Sequence, residues 1–336
     1  MKANVQKMTP TRRDVLKGAF AALPLAGLNP SGALFAGPSS KYNGVQIGII
    51  ISPYNYPEIP VPADETLRTL VQLGISAFEM QDVRAETYAG APSQPREGYS
   101  GSARAGGAAG QNLSPQEVAD ARRKVADELK QWRLSVSLSK YESLRKLYSD
   151  AGVTIYAFRL ANMTAATSDE EFEYFFHAAQ ALGANQITVE LPEDPNLTKR
   201  VGDFAAKYKI RMGYHNHTQV NEHSWDTALA QSEYNGINLD VGHYAAATNS
   251  SPIPFIKEHH VRITSLHLKD RKFRTNGGRN TPWGQGDTPL REILQLVKTE
   301  NYQFPASIEL EYKIPEGSTA TAEIAKCLQF CKDALA

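Results

Sequence analysis

The sequence has little of what would mark several common classes of protein. It has two cysteines, Cys327 and Cys331, too few for a disulfide framework, and their spacing in a helical pattern predicts two buried apolar side chains. It has no excess of basic residues, with 36 lysines and arginines against 36 aspartates and glutamates, which argues against a nucleic-acid-binding protein. What it does have is 41% hydrophobic residues over 336 positions, which is typical of a folded globular chain. That length suits two medium domains or one α/β barrel.

Residues 1–36 have the pattern of an export signal rather than of a folded segment. The pair Arg12 and Arg13 precedes an apolar run from Gly18 to Leu28, and small residues follow up to Ala36. The paired arginines resemble the twin-arginine type of signal, which predicts an exported, periplasmic protein. The apolar run is about half the ~20 residues that a membrane-spanning helix needs, so no stable membrane span is expected. Without this segment the chain is mildly acidic.

Strand-like runs recur along the rest of the chain, most of them separated by helical patterns. The eight predicted strands are Val45–Ile51, Ile75–Met80, Val153–Phe158, Gln186–Leu191, Ile210–His215, Ile237–Asp240, Ile263–Leu268 and Ala306–Glu311. Eight such units predict a parallel eight-stranded (β/α)8 TIM barrel as a single domain over residues 43–335. A doubly wound open sheet is the alternative, and it has less weight because no glycine-rich phosphate turn follows the first strand.

A glycine-rich insertion interrupts this order over residues 89–112. It contains almost no large apolar side chain, and Ser114 then caps a long helix. The insertion follows the second strand, on the side where barrel enzymes keep their sites. A mobile lid and a flexible surface loop both fit, and the second is favoured because glycine-rich loops are usually flexible connections.

Histidines and carboxylates gather at the ends of five consecutive predicted strands. The residues in question are Glu190, His215, His217, Asp240, His243, His267, Glu309 and Glu311. The carboxyl ends of the strands meet at one rim of a parallel barrel, so these side chains are expected to line one pocket. Unpaired carboxylates in a pocket are costly, which favours a mixed nitrogen and oxygen site for Mn²⁺, Zn²⁺, Fe²⁺ or Co²⁺ over a structural explanation.

The chain resembles the xylose isomerase-like sugar isomerase/epimerase superfamily over roughly residues 43–335. The resemblance is carried by the strings Tyr214-His215-Asn216-His217, Leu239-Asp240-Val241-Gly242-His243, His267-Leu268-Lys269-Asp270, Gly284-Gln285-Gly286-Asp287 and Ile308-Glu309-Leu310-Glu311. It implies one divalent metal ion (Mn, Zn, Co, Fe or Mg) with Asp240, His267 and Glu309 among its ligands. It also places His243 close to the substrate oxygens. The first ligand position departs from the family pattern, because His215 stands where a glutamate is usual.

The departure at His215 shifts the expected catalytic roles. His215 can bind a metal but cannot act as a carboxylate base, so Glu190 and Glu309 are the candidate acid–base groups. Three roles are open for Glu190, which is a metal ligand, a general base or a rim residue in an ion pair. Lys269 is expected either to stabilise a developing oxyanion or simply to pair with Asp270. The remaining polar residues of the rim, predicted to contact substrate, are Asn216, His217 and Glu311.

The expected function is metal-dependent isomerisation or epimerisation of a sugar, keto-sugar or polyol through an enediolate. A keto-sugar or keto-glycoside lyase or dehydratase on the same site is the second hypothesis, and a non-catalytic sugar-binding barrel is the third. An apurinic-site endonuclease is disfavoured by the acidic charge balance. The expected partner is a small carbohydrate, with no nucleic acid, and a homo-oligomer stays open.

Overall fold

Eight parallel strands close into a barrel in the computed structural model, which describes residues 37–52, 56, 58–92 and 114–336. The described strands are β1 (Lys41–Tyr42), β2 (Val45–Ile50), β3 (Ala77–Gln81), β4 (Thr154–Arg159), β5 (Gln186–Glu190), β6 (Arg211–His215), β7 (Asn235–Asp240), β8 (Ile263–Leu268) and β9 (Ala306–Glu309). Each of β2 to β9 pairs with its sequence neighbour, and β2 closes the ring against β9, with Ile49 beside Ile308. The predicted (β/α)8 TIM barrel is confirmed. β1 adds a short antiparallel arm to β2.

The helices surround this barrel and largely follow the predicted pattern. They are α1 (Ala63–Leu73), α2 (Asp82–Ala89), α3 (Pro115–Ser135), α4 (Ser139–Asp150), α5 (Asp169–Leu182), α6 (Pro195–Tyr208), α7 (Asp226–Gln231), α8 (Val241–Thr248), α9 (Ile253–His259), α10 (Leu290–Thr299) and α11 (Ala320–Leu335). The side chains of Ser114 and Ser168 each accept a hydrogen bond from the backbone N–H of the glutamate three residues on. In return, the backbone N–H of each serine donates to the carboxylate of that glutamate. These capping boxes fix where α3 and α5 begin.

Strand β7 begins two residues earlier than the apolar pattern predicts. Asn235 and Gly236 extend the ladder beside Met212 and Gly213 of β6. The Asn235 amide is fully buried, and it donates to the backbone oxygens of Thr198 and Ala228 at 3.1 and 2.8 Å. A polar residue therefore fits inside the strand because its hydrogen bonds are made by neighbouring elements.

The apolar core lies between the barrel and its helices, and the described residues from 37 to 336 form one compact unit. Cys327 and Cys331 are free and buried on the inner face of α11, as predicted. Burial raises the pKa of the Cys327 thiol to about 12, so it behaves as a small apolar group. Within the part of the chain that the structure describes, no helix is both long enough and apolar enough to span a membrane. The predicted signal at 1–36, and residues 93–112 of the glycine-rich region, lie outside the described residues.

The inside of the barrel contains a group of buried polar side chains. Gln186 on β5 accepts from Ser265 on β8 at 3.1 Å, and Glu79 on β3 lies 2.8 Å from His267 on β8. These strands are not neighbours in the sheet, so such contacts cross the interior of the barrel. Buried polar groups of this kind need partners, and here they find them in one another. The network supports the side chains at the rim above it.

Candidate metal centre

Four side chains at the ends of adjacent strands come together at the rim of the barrel. His215 ends β6, Asp240 ends β7, Glu309 ends β9, and His267 lies one residue before the end of β8. Each offers a ligand atom, and all four atoms lie within 4.8 Å of one another. The two histidines and Asp240 are buried and Glu309 is half-buried. The structure thus brings together Asp240, His267 and Glu309, the ligands that the family resemblance implies, and His215, which stands at the first ligand position.

His215 is a neutral imidazole whose Nδ1 is hydrogen-bonded to Asn238 and whose Nε2 is free to bind a metal ion. Its Nδ1 lies 2.6 Å from Asn238 Oδ1, and Asn238 Nδ2 donates to Ser265 Oγ at 2.6 Å. Because the Asn238 amide is oriented by this second bond, its oxygen accepts from Nδ1–H and leaves Nε2 with a free lone pair. Burial lowers the pKa of His215 well below its ordinary value, with the charges of His267 and Arg159 adding to the effect. A neutral histidine in this tautomer can bind a metal ion through Nε2.

Asp240 presents one oxygen to the site and uses the other to begin a helix. Its Oδ1 accepts from the His243 N–H at 2.7 Å, which caps α8. Its Oδ2 is buried and accepts no well-directed hydrogen bond from any described residue, although Lys269 Nζ lies 2.7 Å away as an ion pair. Burial raises the pKa of Asp240, and the Lys269 ammonium opposes that shift. A buried carboxylate oxygen in this state is suited to binding a cation.

Asn216 holds the backbone of Asp240 in place. It is fully buried, and its Oδ1 accepts from the Asp240 N–H at 2.9 Å while its Nδ2 donates to the Asp240 carbonyl at 3.2 Å. Both ends of the amide are therefore used by the neighbouring strand end. Its assignment as a substrate-binding residue stays a prediction, and the contacts assign it a positioning role.

His267 lies between two carboxylates. Its Nδ1 is 2.8 Å from Glu309 Oε2, and its Nε2 is 2.8 Å from Glu79 Oε2. Burial disfavours a charged imidazole, but the two carboxylates outweigh it and raise the pKa of His267 to about 10. A carboxylate on the far nitrogen is the usual way in which proteins orient a metal-binding histidine.

Glu79 is a residue of this site that sequence reasoning missed, as it missed Asn238 and Arg159. It is completely buried, and besides His267 it accepts from Tyr156 at 2.8 Å and from Thr188 at 2.5 Å. Burial opposes its ionised form, but the charge of His267 and the hydrogen bonds from His267 and Thr188 lower the pKa of Glu79 overall. The available signal was a glutamate inside the apolar predicted strand Ile75–Met80, because a buried carboxylate needs a partner.

Lys269 extends from β8 into the middle of the carboxylates. Its Nζ lies 2.7 Å from Asp240 Oδ2, 2.8 Å from Glu311 Oε2 and 3.4 Å from Glu309 Oε2. It does not pair with Asp270, the plain alternative from the sequence. Asp270 instead accepts from the N–H groups of Gly284 and Gly286 at 2.8 and 2.9 Å and so orders the loop that follows.

Glu190 lies at the rim on β5, directly beside His215 in the ladder. Its Oε1 is in an ion pair with the buried guanidinium of Arg159 and lies 3.7 Å from His217 Nε2. Glu190, His215 and His217 form a second group whose ligand atoms lie within 4.8 Å of one another. This group shares His215 with the first one. The ion pair with Arg159 matches one of the three roles that the sequence left open for Glu190.

His217 and His243 form one wall of the site. Their ring centroids are 4.7 Å apart; His243 is buried, while the His217 side chain is 41% exposed. Burial, then the Lys269 charge, lowers the pKa of His243 well below its ordinary value, so this imidazole is neutral. The residues predicted to contact substrate at the rim, His217, His243 and Glu311, therefore lie beside the four candidate ligands.

The donor set fits a divalent ion of the first transition series or Mg²⁺. It offers two imidazole nitrogens and two carboxylates, with Asp240 Oδ2 lacking a directed hydrogen bond and His215 Nε2 carrying a free lone pair. Further groups orient both histidines, as metal sites usually require.

The family model of the xylose isomerase-like TIM barrel matches residues 121–332, and the chain belongs to this family. Three solved structures show the same fold. An uncharacterised protein from Parabacteroides distasonis is 22% identical (TM-score 0.54, covering 86% of this chain and 99% of that one). A sugar phosphate isomerase/epimerase from the same organism is 17% identical (TM-score 0.55, 88% and 97%). A 3-keto-D-glucoside 4-epimerase from E. coli is 11% identical (TM-score 0.54, 86% and 99%). No curated protein matches the chain.

Proposed function

We propose that the protein is a divalent-metal-dependent enzyme that isomerises or epimerises a sugar, keto-sugar or polyol through an enediolate. The observation that carries this proposal is the convergence of four ligand atoms within 4.8 Å at adjacent strand ends, beside carboxylates that can move protons. The names of similar structures agree with it, since they include a sugar phosphate isomerase/epimerase, a 3-keto-D-glucoside 4-epimerase and a D-psicose 3-epimerase.

His215, Asp240, His267 and Glu309 would hold the ion. Bound there, a divalent cation would polarise a substrate carbonyl and stabilise the negative charge that develops on its oxygen. Glu79 accepts the Nε2–H of His267, so Nδ1, which contacts Glu309 Oε2 in this structure, could bind the ion once it has lost its proton. Asn238 accepts the Nδ1–H of His215 and leaves its Nε2 for the ion.

Glu190 is the group that we assign to proton transfer. Its carboxylate lies at the rim beside His215 and is held by Arg159, so it can take a proton from the carbon next to the substrate carbonyl. Returning that proton to the neighbouring carbon gives isomerisation, and returning it to the opposite face of the same carbon gives epimerisation. Glu309 is the second candidate for this transfer, while Lys269 and His243 lie where they can bind substrate oxygens.

A lyase or dehydratase is the second candidate function, and His215 favours it. Epimerases of this superfamily, as the resemblance implies, use two carboxylates on opposite faces of the substrate carbon. His215 is a neutral imidazole whose Nδ1–H is committed to Asn238, so it does not replace the second carboxylate. Loss of a β-oxygen from the same enediolate needs one base, which can pass the proton it has taken from carbon to the departing oxygen, and no proton return to the opposite face of that carbon. A non-catalytic sugar-binding barrel has less support, because the candidate ligand set is complete.

The test is turnover of a panel of keto-sugars and keto-glycosides by the metal-loaded protein in D2O, followed by NMR. We expect solvent deuterium at the carbon next to the carbonyl in substrate or product at early conversion. Turnover without any deuterium at that carbon would contradict proton abstraction, and elimination products in place of epimers would select the lyase.

We propose further that the protein is exported to the periplasm by its first 36 residues, on the strength of Arg12 and Arg13. Changing both to lysine should block export, because the twin-arginine pathway recognises the guanidinium pair. Export at the normal level would contradict this route.

A further inference from the structure

Lys269 places its ammonium group on the oxygen that a metal ion at this site would need. The Nζ atom lies 2.7 Å from Asp240 Oδ2, while the other oxygen of Asp240 is committed to the backbone N–H of His243. We propose that Lys269 is a built-in competitor for the divalent ion, so that its charge sets the affinity of the site. This inference rests on the proposed function and concerns how the same site selects its cation.

The surroundings of the ammonium are those of a cation site. Three carboxylates contact it, from Asp240, Glu309 and Glu311, at 2.7, 3.4 and 2.8 Å. The Lys269 side chain is only 2% exposed, so water screens these contacts poorly. Two of the three carboxylates are candidate metal ligands. A divalent ion on those ligands would therefore share carboxylates with Lys269 and lie close to its positive charge.

The backbone holds Lys269 in this position. A Cβ atom added at Gly242 would lie 2.4 Å from the carbonyl oxygen of Lys269, so glycine is required where the start of α8 passes the end of β8. This close approach brings the lysine beside the Asp240 cap. Lys269 is therefore fixed at its Cα, and the freedom that remains lies in its side chain.

His243 also lies beside the Lys269 ammonium, but it holds this group less firmly than the carboxylates do. Its Nε2 lies 2.8 Å from Lys269 Nζ, and its Nδ1 lies beside Arg271 Nη1. A neutral imidazole has one acceptor nitrogen, so only one of these two cationic donors makes a hydrogen bond to it. The carboxylates are thus the groups that retain the ammonium. If a divalent ion took Asp240 Oδ2, Glu311 would still be available as a carboxylate partner for Lys269.

The test compares Lys269→Met with wild type by calorimetric titration of the full chain with Mn²⁺ after treatment with EDTA. Removing the competing charge should tighten Mn²⁺ binding by about tenfold or more, which corresponds to about 1.4 kcal/mol. Lys272→Met is the matched control, because Lys272 pairs with Asp287 outside the site at 3.2 Å, and it should stay within about twofold. Unchanged or weaker Mn²⁺ binding by the folded Lys269→Met variant would overturn the proposal.

A second variant keeps the proposal testable if Lys269→Met folds poorly. Glu311→Gln removes the carboxylate that is not a candidate ligand, so the ammonium keeps close carboxylate contacts only with Asp240 and Glu309. We expect Mn²⁺ binding about tenfold weaker than in wild type, the opposite direction to Lys269→Met. Unchanged or tighter binding would overturn the proposal.

Thermal unfolding of the EDTA-treated proteins gives an independent readout. Lys269→Met should melt below wild type, because the buried Asp240 and the half-buried Glu309 and Glu311 lose their common counter-ion. Binding of Mn²⁺ should remove this difference in Tm. A Tm equal to that of wild type without Mn²⁺ would count against competition at these oxygens. Wild type that binds Mn²⁺ while Lys269→Met binds no more tightly would overturn this inference alone. Wild type that binds no divalent ion would overturn the proposed function as well.

Discussion

Replacing Glu79 with glutamine keeps the size of a fully buried side chain and removes its negative charge. In the wild type the carboxylate accepts from His267 Nε2, Tyr156 and Thr188 at 2.8, 2.8 and 2.5 Å. Glutamine offers one acceptor oxygen and an NH2 group that can only donate. Where the NH2 faces His267, the imidazole must carry its proton on Nδ1, the nitrogen that faces the candidate metal position.

Two effects of Glu79→Gln can be sized from these contacts. Loss of a carboxylate behind a metal-binding histidine typically weakens metal affinity by about 10- to 100-fold, equivalent to about 1.4 to 2.7 kcal/mol. Loss of a hydrogen bond to a buried charged group costs about 2 kcal/mol of unfolding free energy. The loss stays at that level because Glu309 still contacts the other nitrogen of His267 at 2.8 Å.

The assay is titration of EDTA-treated protein with Mn²⁺, together with urea unfolding at neutral pH. Thr188→Val is the matched control, since it removes one hydrogen bond to Glu79 but leaves the carboxylate against His267, and Mn²⁺ affinity should change by no more than about threefold. Wild-type affinity in a folded Glu79→Gln variant would refute the role of Glu79 in orienting His267.

Two further predictions concern carboxylates of different environments. Burial, followed by the charge of Glu86, raises the pKa of Asp82 to about 7, so the folded protein retains a proton there that the unfolded chain releases near pH ~4. The contribution of Asp82 to the unfolding free energy should therefore fall by up to about 4 kcal/mol as the pH rises from about 4 to 7. Asp82→Asn should remove this pH dependence from the unfolding free energy measured in urea. An equal pH dependence in both proteins would contradict the raised pKa of Asp82. Glu190→Gln should lower kcat by roughly 10²–10⁴-fold and leave about one metal ion per chain, since Arg159 and not the ion holds this carboxylate. Loss of the metal would make Glu190 a ligand, and unchanged kcat would leave it a rim residue.

The order of strands and the gathering of histidines and carboxylates at their ends could be read from the sequence, and the family resemblance then selected Asp240, His267 and Glu309 among them as ligands. Apolar runs of strand length recur with helical patterns between them, and a parallel barrel forces all their carboxyl ends to one rim. A carboxylate or histidine at such an end, like Asp240 after Leu239, is therefore informative without any knowledge of its neighbours.

The partners of these residues could not be read in the same way. Glu79 lies 188 positions from His267, and the two meet only because β3 and β8 face each other across the closed barrel. Lys269 could equally have paired with Asp270 beside it, and only the three-dimensional arrangement turns it toward Asp240 and Glu311. Contacts of this kind depend on which side chains meet inside the barrel, and the hydrophobic pattern of a single strand or helix does not predict them.

The most direct test of the central claim is anomalous diffraction at the manganese absorption edge from crystals of the protein grown with Mn²⁺. We predict a single anomalous peak within about 2.0–2.3 Å of donor atoms from His215, Asp240, His267 and Glu309. The absence of a peak among these four residues, or a peak bound instead by Glu190, His215 and His217, would contradict the metal centre and the reaction built on it.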